Sequence, residues 1–506
     1  MKRILFLFFV FAATLTAFPS CAKNGNDNGA SKKERQKENR PWRLTVDGKP
    51  FVLIGGQLRM DLFRQLEKKR LNELDQYFML ARSLNLTAVQ VSISWSDIET
   101  DYDVYSDEVV KAFIDYCERY DMKLELLWFG SYMCGYSVEN HLPAYVVDNP
   151  TDYPLLNEWC KWQGYQGWQY FLRPGTPLLV QRECKAISKM MEFIWKYDQA
   201  SGTPHTVIGI QIENEPDMLA TRHNDDHGFA PNDIWPSLLS HINAVGLAVK
   251  NGPYKCYTRV NQTTTYPECM YWCGKIAAMD GIDYVGVDPY ETRLEAIKDK
   301  VSRLNAIDGN YGHVAENGGE YFNNDLMALQ TLVLGGGYEV FEVVTTKADD
   351  LKDYTLRGVY NTDFTFKPQT QRLIDAFGIF RGAWYDFGTL PVSGLHGFNL
   401  DDPRTEEDWW GGTCGKTVTN ETVALRKGNC RWETRDRGVA FILEGNGYLT
   451  AASTKADKMD FDFPVKSAEC GQYKLSGQWE KNSDAGNRLQ GNSLSMEAGK
   501  IYRIYY

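Results

Sequence analysis

Apolar residues fall along this chain in two alternating rhythms. Short runs that are apolar almost throughout stand at 51–57 (FVLIGGQ), 87–93 (TAVQVSI), 122–129 (MKLELLWF), 205–214 (HTVIGIQIEN), 254–260 (YKCYTRV), 282–288 (IDYVGVD), 312–315 (GHVA) and 338–344 (YEVFEVV). Such runs predict strands buried on both faces, as in a parallel sheet. Between them, at 67–84, 107–120, 177–197, 235–249, 291–305, 322–334 and 367–382, the apolar positions recur with helical spacing, as in Leu71, Leu74, Tyr77, Phe78 and Ala81. Eight strands alternating with helices over roughly 330 residues predict a (β/α)8 barrel, an α/β TIM-type fold. The other α/β solution, an open doubly wound sheet, lacks support, because no Gly-rich phosphate loop follows the first run. Asp47-Gly48 predicts a tight hairpin turn just ahead of the barrel.

The rhythm fails at both ends of the chain. Lys2 and Arg3 precede an apolar run from Ile4 to Phe18 and then Ser20-Cys21, which predicts a secretory signal over residues 1–21. A cysteine just behind such a run is expected to be lipidated at Cys21, as at the end of a bacterial lipoprotein signal. Residues 22–41 (AKNGNDNGASKKERQKENRP) hold too little apolar surface to fold and predict a flexible tether. No later stretch reaches the ~18 apolar residues that span a bilayer. The expectation is a lipid-anchored protein of the bacterial cell envelope. After residue 388, short runs such as 438–444, 447–451, 471–475 and 501–506 are separated by Gly, Asn, Asp and Ser. They predict a small antiparallel β-sandwich over 388–506, behind a barrel over 42–387. Residues 401–436 read as an extended polar loop reaching back toward the barrel. The connection 130–175, rich in Trp and Tyr, reads as a loop walling a pocket.

A net charge of −11 with no basic stripe argues against nucleic-acid partners. Eleven cysteines form no CxxC pair, so neither a zinc ribbon nor a thioredoxin-type site is expected. In the envelope, Cys414 with Cys430 and Cys269 with Cys273 are the disulfide pairs to test. His205, His223, His227 and His313 show no ligand spacing, and no metal or other cofactor is expected. The 14 Trp and 29 Tyr suit a protein that stacks the flat faces of sugars.

The candidate chemistry sits where apolar runs end in acids. In HTVIGIQIENEPD the fourth strand delivers Glu213, Asn214 and Glu215 to its carboxyl end, and Pro216 stops the ladder. Barrel enzymes keep their chemistry at that face. In GHVAENGGEY the seventh strand delivers Glu316 into an Asn-Gly-Gly turn, with Glu320 four residues on as the rival. One carboxylic acid and one carboxylate, from two different strands, are what glycosidic bond cleavage requires. Glu213 shares a strand face with Glu215 by the period of two and reads as a supporting carboxylate paired with an arginine such as Arg59 or Arg259. Trp95, Trp128 and Tyr132 stand at strand ends where a sugar-stacking platform would lie.

These motifs resemble the retaining (β/α)8 glycoside hydrolases, most of all the family-35 β-galactosidases, with family 42 close behind. IGGQLRM (54–60), LNLTAVQVSISWSDIET (84–100), LELLWFGSYMCG (124–135), HLPAYV (141–146) and QIENEPD carry the likeness, over roughly residues 43–345. The resemblance implies Glu215 as acid/base, Glu316 as nucleophile, Asn214 on the sugar 2-hydroxyl and Tyr290 beside the nucleophile. The acid would then keep its proton near neutral pH beside an ionised Glu316. The family places a glutamate in the loop after the third strand; this chain reads FGSYMCGY there, with Glu139 farther on. The expected activity is that of a retaining exo-β-glycosidase trimming terminal sugars from oligo- or polysaccharides, β-galactosidase-like. Glucosides, mannosides and xylosides stand as alternative substrates, and a non-catalytic glycan-binding lipoprotein on a degenerate barrel as the alternative function.

Overall fold

The computed structural model describes residues 43–506 apart from 66, 134–140, 157–160, 165–166, 171, 200–204, 222–230, 265, 267, 348–356, 400–419 and 434–437. The signal, Cys21 and the tether lie outside the described residues, as do Cys414 and Glu139. Among the described residues no helix is long and apolar enough to cross a membrane.

Eight parallel strands close into a barrel: β1 (Ile54–Leu58), β2 (Ala88–Ser94), β3 (Lys123–Met133), β4 (Val207–Asn214), β5 (Tyr257–Thr263), β6 (Tyr284–Asp288), β7 (His313–Gly318) and β8 (Gly337–Phe341). They pair in chain order, and β8 closes on β1 through Tyr338↔Ile54 and Val340↔Gly56. Each predicted apolar run became one of these strands, because a barrel strand is covered outside by helices and inside by its own layers. Ahead of them Asp47 (φ 52°) and Gly48 (φ 70°) make the expected turn between Thr45–Val46 and Lys49–Pro50. The first predicted helix is broken into Met60–Gln65, a short 3-10 turn at Leu71–Glu73, and Asp75–Ser83. A helix at Cys269–Ala277 was not foreseen; it buries Cys269, Cys273, Ile276 and Ala277. Its two thiols are free and 3.9 Å apart.

The barrel interior is polar. Arg259 Nε donates to Glu125 Oε1 at 2.6 Å, and Glu339 lies 3.6 Å from Arg259 and 3.1 Å from His313, all fully buried. Gly55 makes room for this layer: a Cβ there would lie 2.4 Å from Glu339 Oε1. Burial, with Glu125 next, pushes the Glu339 carboxyl well up, and burial with Arg259 pushes the His313 imidazole well down. The bonded ion pair of the layer is Arg259–Glu125. Replacing Arg259 with Met leaves Glu125 buried without a countercharge. We expect a loss of about 3–5 kcal/mol in denaturant unfolding; a loss under about 1 kcal/mol would contradict the pairing.

The C-terminal unit packs two antiparallel sheets. A six-stranded sheet runs in the order Leu395–Asn399, Val439–Glu444, Tyr448–Ser453, Ile501–Tyr505, Ser467–Tyr473, Trp479–Asp484. A five-stranded sheet holds Asn420–Ala424 and Asn429–Glu433, so the latter part of the expected 401–436 loop is a hairpin of this sheet. Val439–Glu444 is buried throughout because its two faces have different partners. Val439, Phe441 and Leu443 join the barrel core, with Phe441 5.0 Å from Phe387, while Ala440 and Ile442 face the second sheet. Asp386, on the helix Trp384–Thr389, accepts hydroxyls from Tyr448 (2.9 Å), Thr450 (2.5 Å) and Tyr473 (2.6 Å). The sandwich is thus fixed to the barrel's outer helices. Within 130–175 a short hairpin, Lys161–Gly164 with Gly167–Tyr170, interrupts the expected loop.

Candidate active site

The end of β4 is set by an irregularity in its neighbour. The β4–β3 register jumps from Ile212↔Trp128 to Asn214↔Met133, leaving extra β3 residues without ladder partners. Glu213 occupies the gap and accepts the backbone N–H groups of Gly130 (3.1 Å), Ser131 (2.8 Å) and Tyr132 (3.0 Å). Buried amides need acceptors, and this carboxyl supplies them. Glu213 (φ 62°) and Glu215 (φ 44°) both sit in the left-handed region, at a cost of about 1–3 kcal/mol each. The strain breaks the period of two, so Glu213 turns into the β3 bulge while Glu215, half-buried, takes another direction. Asn261 of β5 holds the turn: its Oδ1 accepts the Glu215 N–H at 3.0 Å, and its Nδ2 donates to Asn214 Oδ1 at 3.0 Å. Gln211 Nε2 also donates to Asn214 Oδ1, at 3.1 Å, which leaves Nδ2 as the donor end of that amide.

β7 is irregular too, with a register shift between Val314 and Asn317. Asn317 turns outward, accepting the Glu291 N–H at 2.7 Å and donating to Tyr338 Oη at 2.8 Å. Glu316, 5 % exposed, accepts Tyr290 Oη at 2.5 Å. Tyr290 (φ 42°) is a further non-glycine residue in the left-handed region at this face, two residues past β6. Between them Asp288, the last residue of β6, accepts Asn261 Nδ2 at 2.6 Å. Hydrogen bonds tie the ends of β4, β6 and β7 together: Asn261 bonds both the Glu215 N–H and Asp288, and Tyr290, two residues beyond Asp288, bonds Glu316.

The surrounding charge is cationic on one side. Burial pushes the Glu316 carboxyl above its ordinary range, opposed by the Tyr290 hydrogen bond and by Arg59, Arg259 and Arg357. Arg59 is held by Asp61 through a fork at 3.0 and 2.7 Å, and Asp61 in turn accepts Ser92 Oγ at 2.6 Å. Both Arg59 and Arg357 lie over the Phe341 ring, at 5.7 and 5.6 Å, and that ring meets Tyr290 edge-on at 5.8 Å. Burial and then Glu316 push the Tyr290 phenol well up, so it serves as a donor.

Several expectations need correction. Glu213 is paired with neither Arg59 nor Arg259, which are bound to Asp61 and Glu125. Its neighbour is Glu183: burial and that second carboxyl push Glu213 well up, while His241 and Ser131 hold Glu183 low against the cost of burial. Trp95 and Trp128 are fully buried and present no open face; their indole N–H groups donate to Glu99 (2.9 Å) and Glu183 (3.0 Å). Tyr132 is buried as well, with its ring edge-on to His241 at 5.0 Å. Residues not foreseen at this face are Asp288, Asn261, Arg357 and Phe341. Asp288 carried the same signal as Glu215, an acid closing the apolar run YVGV. Among the described residues no group of three His, Cys, Asp or Glu could hold a metal ion.

A family model for a domain of unknown function, DUF4978, matches residues 238–404. No curated protein matches the chain. Among solved structures, similar ones include the exo-β-1,4-mannosidase Op5Man5 from Opitutaceae bacterium strain TAV5, at 12% identity over 67% of this chain and 61% of that one, with TM-score 0.47. A GH5_18 variant from Streptomyces cattleya in complex with Manb1-4GlcNAc matches at 12% identity over 70% and 83%, with TM-score 0.49. A family 39 glycoside hydrolase from the gut symbiont Bacteroides cellulosilyticus WH2 matches at 12% identity over 90% and 83%, with TM-score 0.46. The chain spans 61% of the length of the first of these. These neighbours are glycoside hydrolases, of GH5_18 and family 39 where a family is given rather than 35 or 42.

Proposed function

We propose that the chain is a retaining exo-β-glycosidase that removes terminal sugars from oligo- or polysaccharides by a two-glutamate double displacement. The observation that carries this reading is the convergence of Glu215 and Glu316 on Asp288 and Tyr290, with Tyr290 Oη bonded to Glu316 at 2.5 Å. In the first step Glu215 protonates the glycosidic oxygen while Glu316 attacks the anomeric carbon, and the bond to the leaving oxygen breaks. In the second, Glu215 takes a proton from water, water attacks the same carbon, and the glycosyl–Glu316 ester breaks. Asn214, with Oδ1 occupied, offers Nδ2 to the sugar 2-hydroxyl, a contact that strengthens in the transition state. The features a degenerate, purely binding barrel would lose, a second carboxylate and the donor that orients it, are both present.

The test is hydrolysis of aryl β-glycosides of galactose, glucose, mannose and xylose, galactose being the sugar the sequence motifs favour. Absence of turnover on every member of such a panel would overturn the reading. The proposal includes a lipid on Cys21 that tethers the enzyme to the envelope; labelling by palmitate that depends on Cys21 checks it.

Tyr290 also sets a pH dependence. The acid limb of kcat/KM reports ionisation of Glu316 in the free enzyme, and that limb lies above the ordinary carboxylate range because burial raises the group. Tyr290→Phe removes a hydrogen bond that favours the carboxylate, so the limb moves to still higher pH, by about one unit. An unmoved or lowered limb would show that Tyr290 does not hold the ionised nucleophile.

A further inference from the structure

Asp288 has no cation bonded to it and lacks a full set of hydrogen bonds. It closes β6 on the barrel-facing side, in step with Tyr284 and Gly286, and is 2 % exposed. Its Oδ2 accepts one neutral donor, Asn261 Nδ2 at 2.6 Å, and its Oδ1 is buried with no partner. The groups that face it from the packed elements are Glu316 on β7, Glu215 and Asp217 beyond the end of β4, and Arg259 on β5. Tyr290 stands two residues along the same loop. Arg259, the only cation among them, is bonded to Glu125. An ionised carboxylate held dry beside three other acids, with one oxygen unsatisfied, is the arrangement that desolvation penalises most.

We infer that Asp288 is a third acid of the site, kept un-ionised, that fixes the Asn214 amide and the Glu215 backbone through Asn261. Its role in turnover rests on the glycosidase reading; its ionisation state does not. The carbonyl oxygen, Oδ2, takes the Asn261 amide, and Oδ1 carries the proton. Asn261 then passes the constraint on, by its Oδ1 to the Glu215 N–H and by its Nδ2 to Asn214 Oδ1. A proton kept on Asp288 leaves Glu316 as the ionised carboxylate beside it before the first step. Burial and the charges of Glu316 and Glu215 act in the same direction.

Asp288→Asn is isosteric with the protonated acid: its carbonyl can take the Asn261 amide and its NH2 replaces the O–H. In the unfolded chain Asp288 ionises at about 3.9, whereas in the fold it keeps its proton to higher pH. Folding near neutral pH must therefore load a proton, which costs stability that grows from about pH 4 upward and vanishes below it. Asp288→Asn removes the cost, so its Tm should exceed that of the unsubstituted protein by about 2–4 °C near neutral pH, with the gain shrinking toward zero at about pH 4. An Asn variant less stable than the parent near neutral pH, or a gain equal at both pH values, overturns the un-ionised state.

In turnover of an aryl β-glycoside, Asp288→Ala should lose about thirtyfold in kcat/KM and Asp288→Asn about threefold. An Asn variant as slow as the Ala variant overturns the positioning role even where the Tm result holds. If the unsubstituted protein turns over no glycoside, the glycosidase reading falls by itself and the Tm comparison still decides the ionisation. The positioning is then read from the side-chain amide NMR signals of Asn214 and Asn261. Asp288→Ala should displace them and Asp288→Asn should leave them near their original shifts; equal displacement in both overturns it.

Discussion

Glu316→Ala is expected to abolish hydrolysis of aryl β-glycosides, with a fall in kcat of about 10⁴-fold or more, the scale set by loss of a catalytic nucleophile. The fold should survive the change. Burial is the foremost influence on this carboxyl and pushes its pKa up, so the ionised side chain is held at a cost in the folded state. For a group raised in this way the cost is present above its unfolded pKa, and removing the group near neutral pH relieves it. Unfolding measurements should therefore show Glu316→Ala as stable as the parent protein or more so, apart from the loss of the Tyr290 contact. The space left beside Tyr290 should admit a small anion such as azide, which then attacks from the side Glu316 occupied. Recovery of turnover with azide, giving a glycosyl azide of inverted configuration, would assign the nucleophile. Full activity of the Ala variant on an activated substrate would remove Glu316 from that role.

Glu215→Gln should separate substrates by leaving group. General acid catalysis contributes about 10²–10⁴-fold where the departing oxygen needs a proton, and little where it leaves as a stable phenolate. We expect losses of that size on alkyl or saccharide leaving groups and much smaller first-step losses on dinitrophenyl glycosides. The basic limb of the pH profile should flatten at the same time, since no acid remains to deprotonate. Glutamine keeps the side chain's shape, and the Asn261 bond to residue 215 is made to its backbone N–H, so the β4 turn has no reason to move. Equal losses on all leaving groups would mean that Glu215 orients the sugar and is not the proton donor.

The strands and the ends of β4 and β7 were legible because their signal is local. An apolar run that closes in an acid can be read without knowing its neighbours, and it led to both Glu215 and Glu316. Asp288 closes the apolar run YVGV with the same signal. What could not be read depends on partners distant in the chain. Glu213 shares a face with Glu215 in a regular strand, but the β3 register jump and the positive φ at 213 turn it the other way. Its three amide donors come from residues about eighty positions upstream. Trp95 and Trp128 suited a stacking platform by type and place, yet each indole found a buried carboxylate and joined the core. Arg59 and Arg357 reach the same ring, Phe341, from opposite ends of the barrel domain, a juxtaposition that only closure of β8 on β1 creates. The run GVAFILE was read as a strand, while its burial on both faces follows from the barrel helices packed against one side.

In the proposed mechanism Glu316 forms a covalent bond to the sugar while Glu215 moves the proton. Mass spectrometry after incubation with 2-deoxy-2-fluoro β-glycosyl fluorides, matched to the aryl glycoside that is turned over, tests it most directly. A single glycosyl adduct should map to Glu316 and fail to form in Glu316→Ala. An adduct on another residue, such as Glu320, or none while the matched aryl glycoside is still hydrolysed, would contradict it.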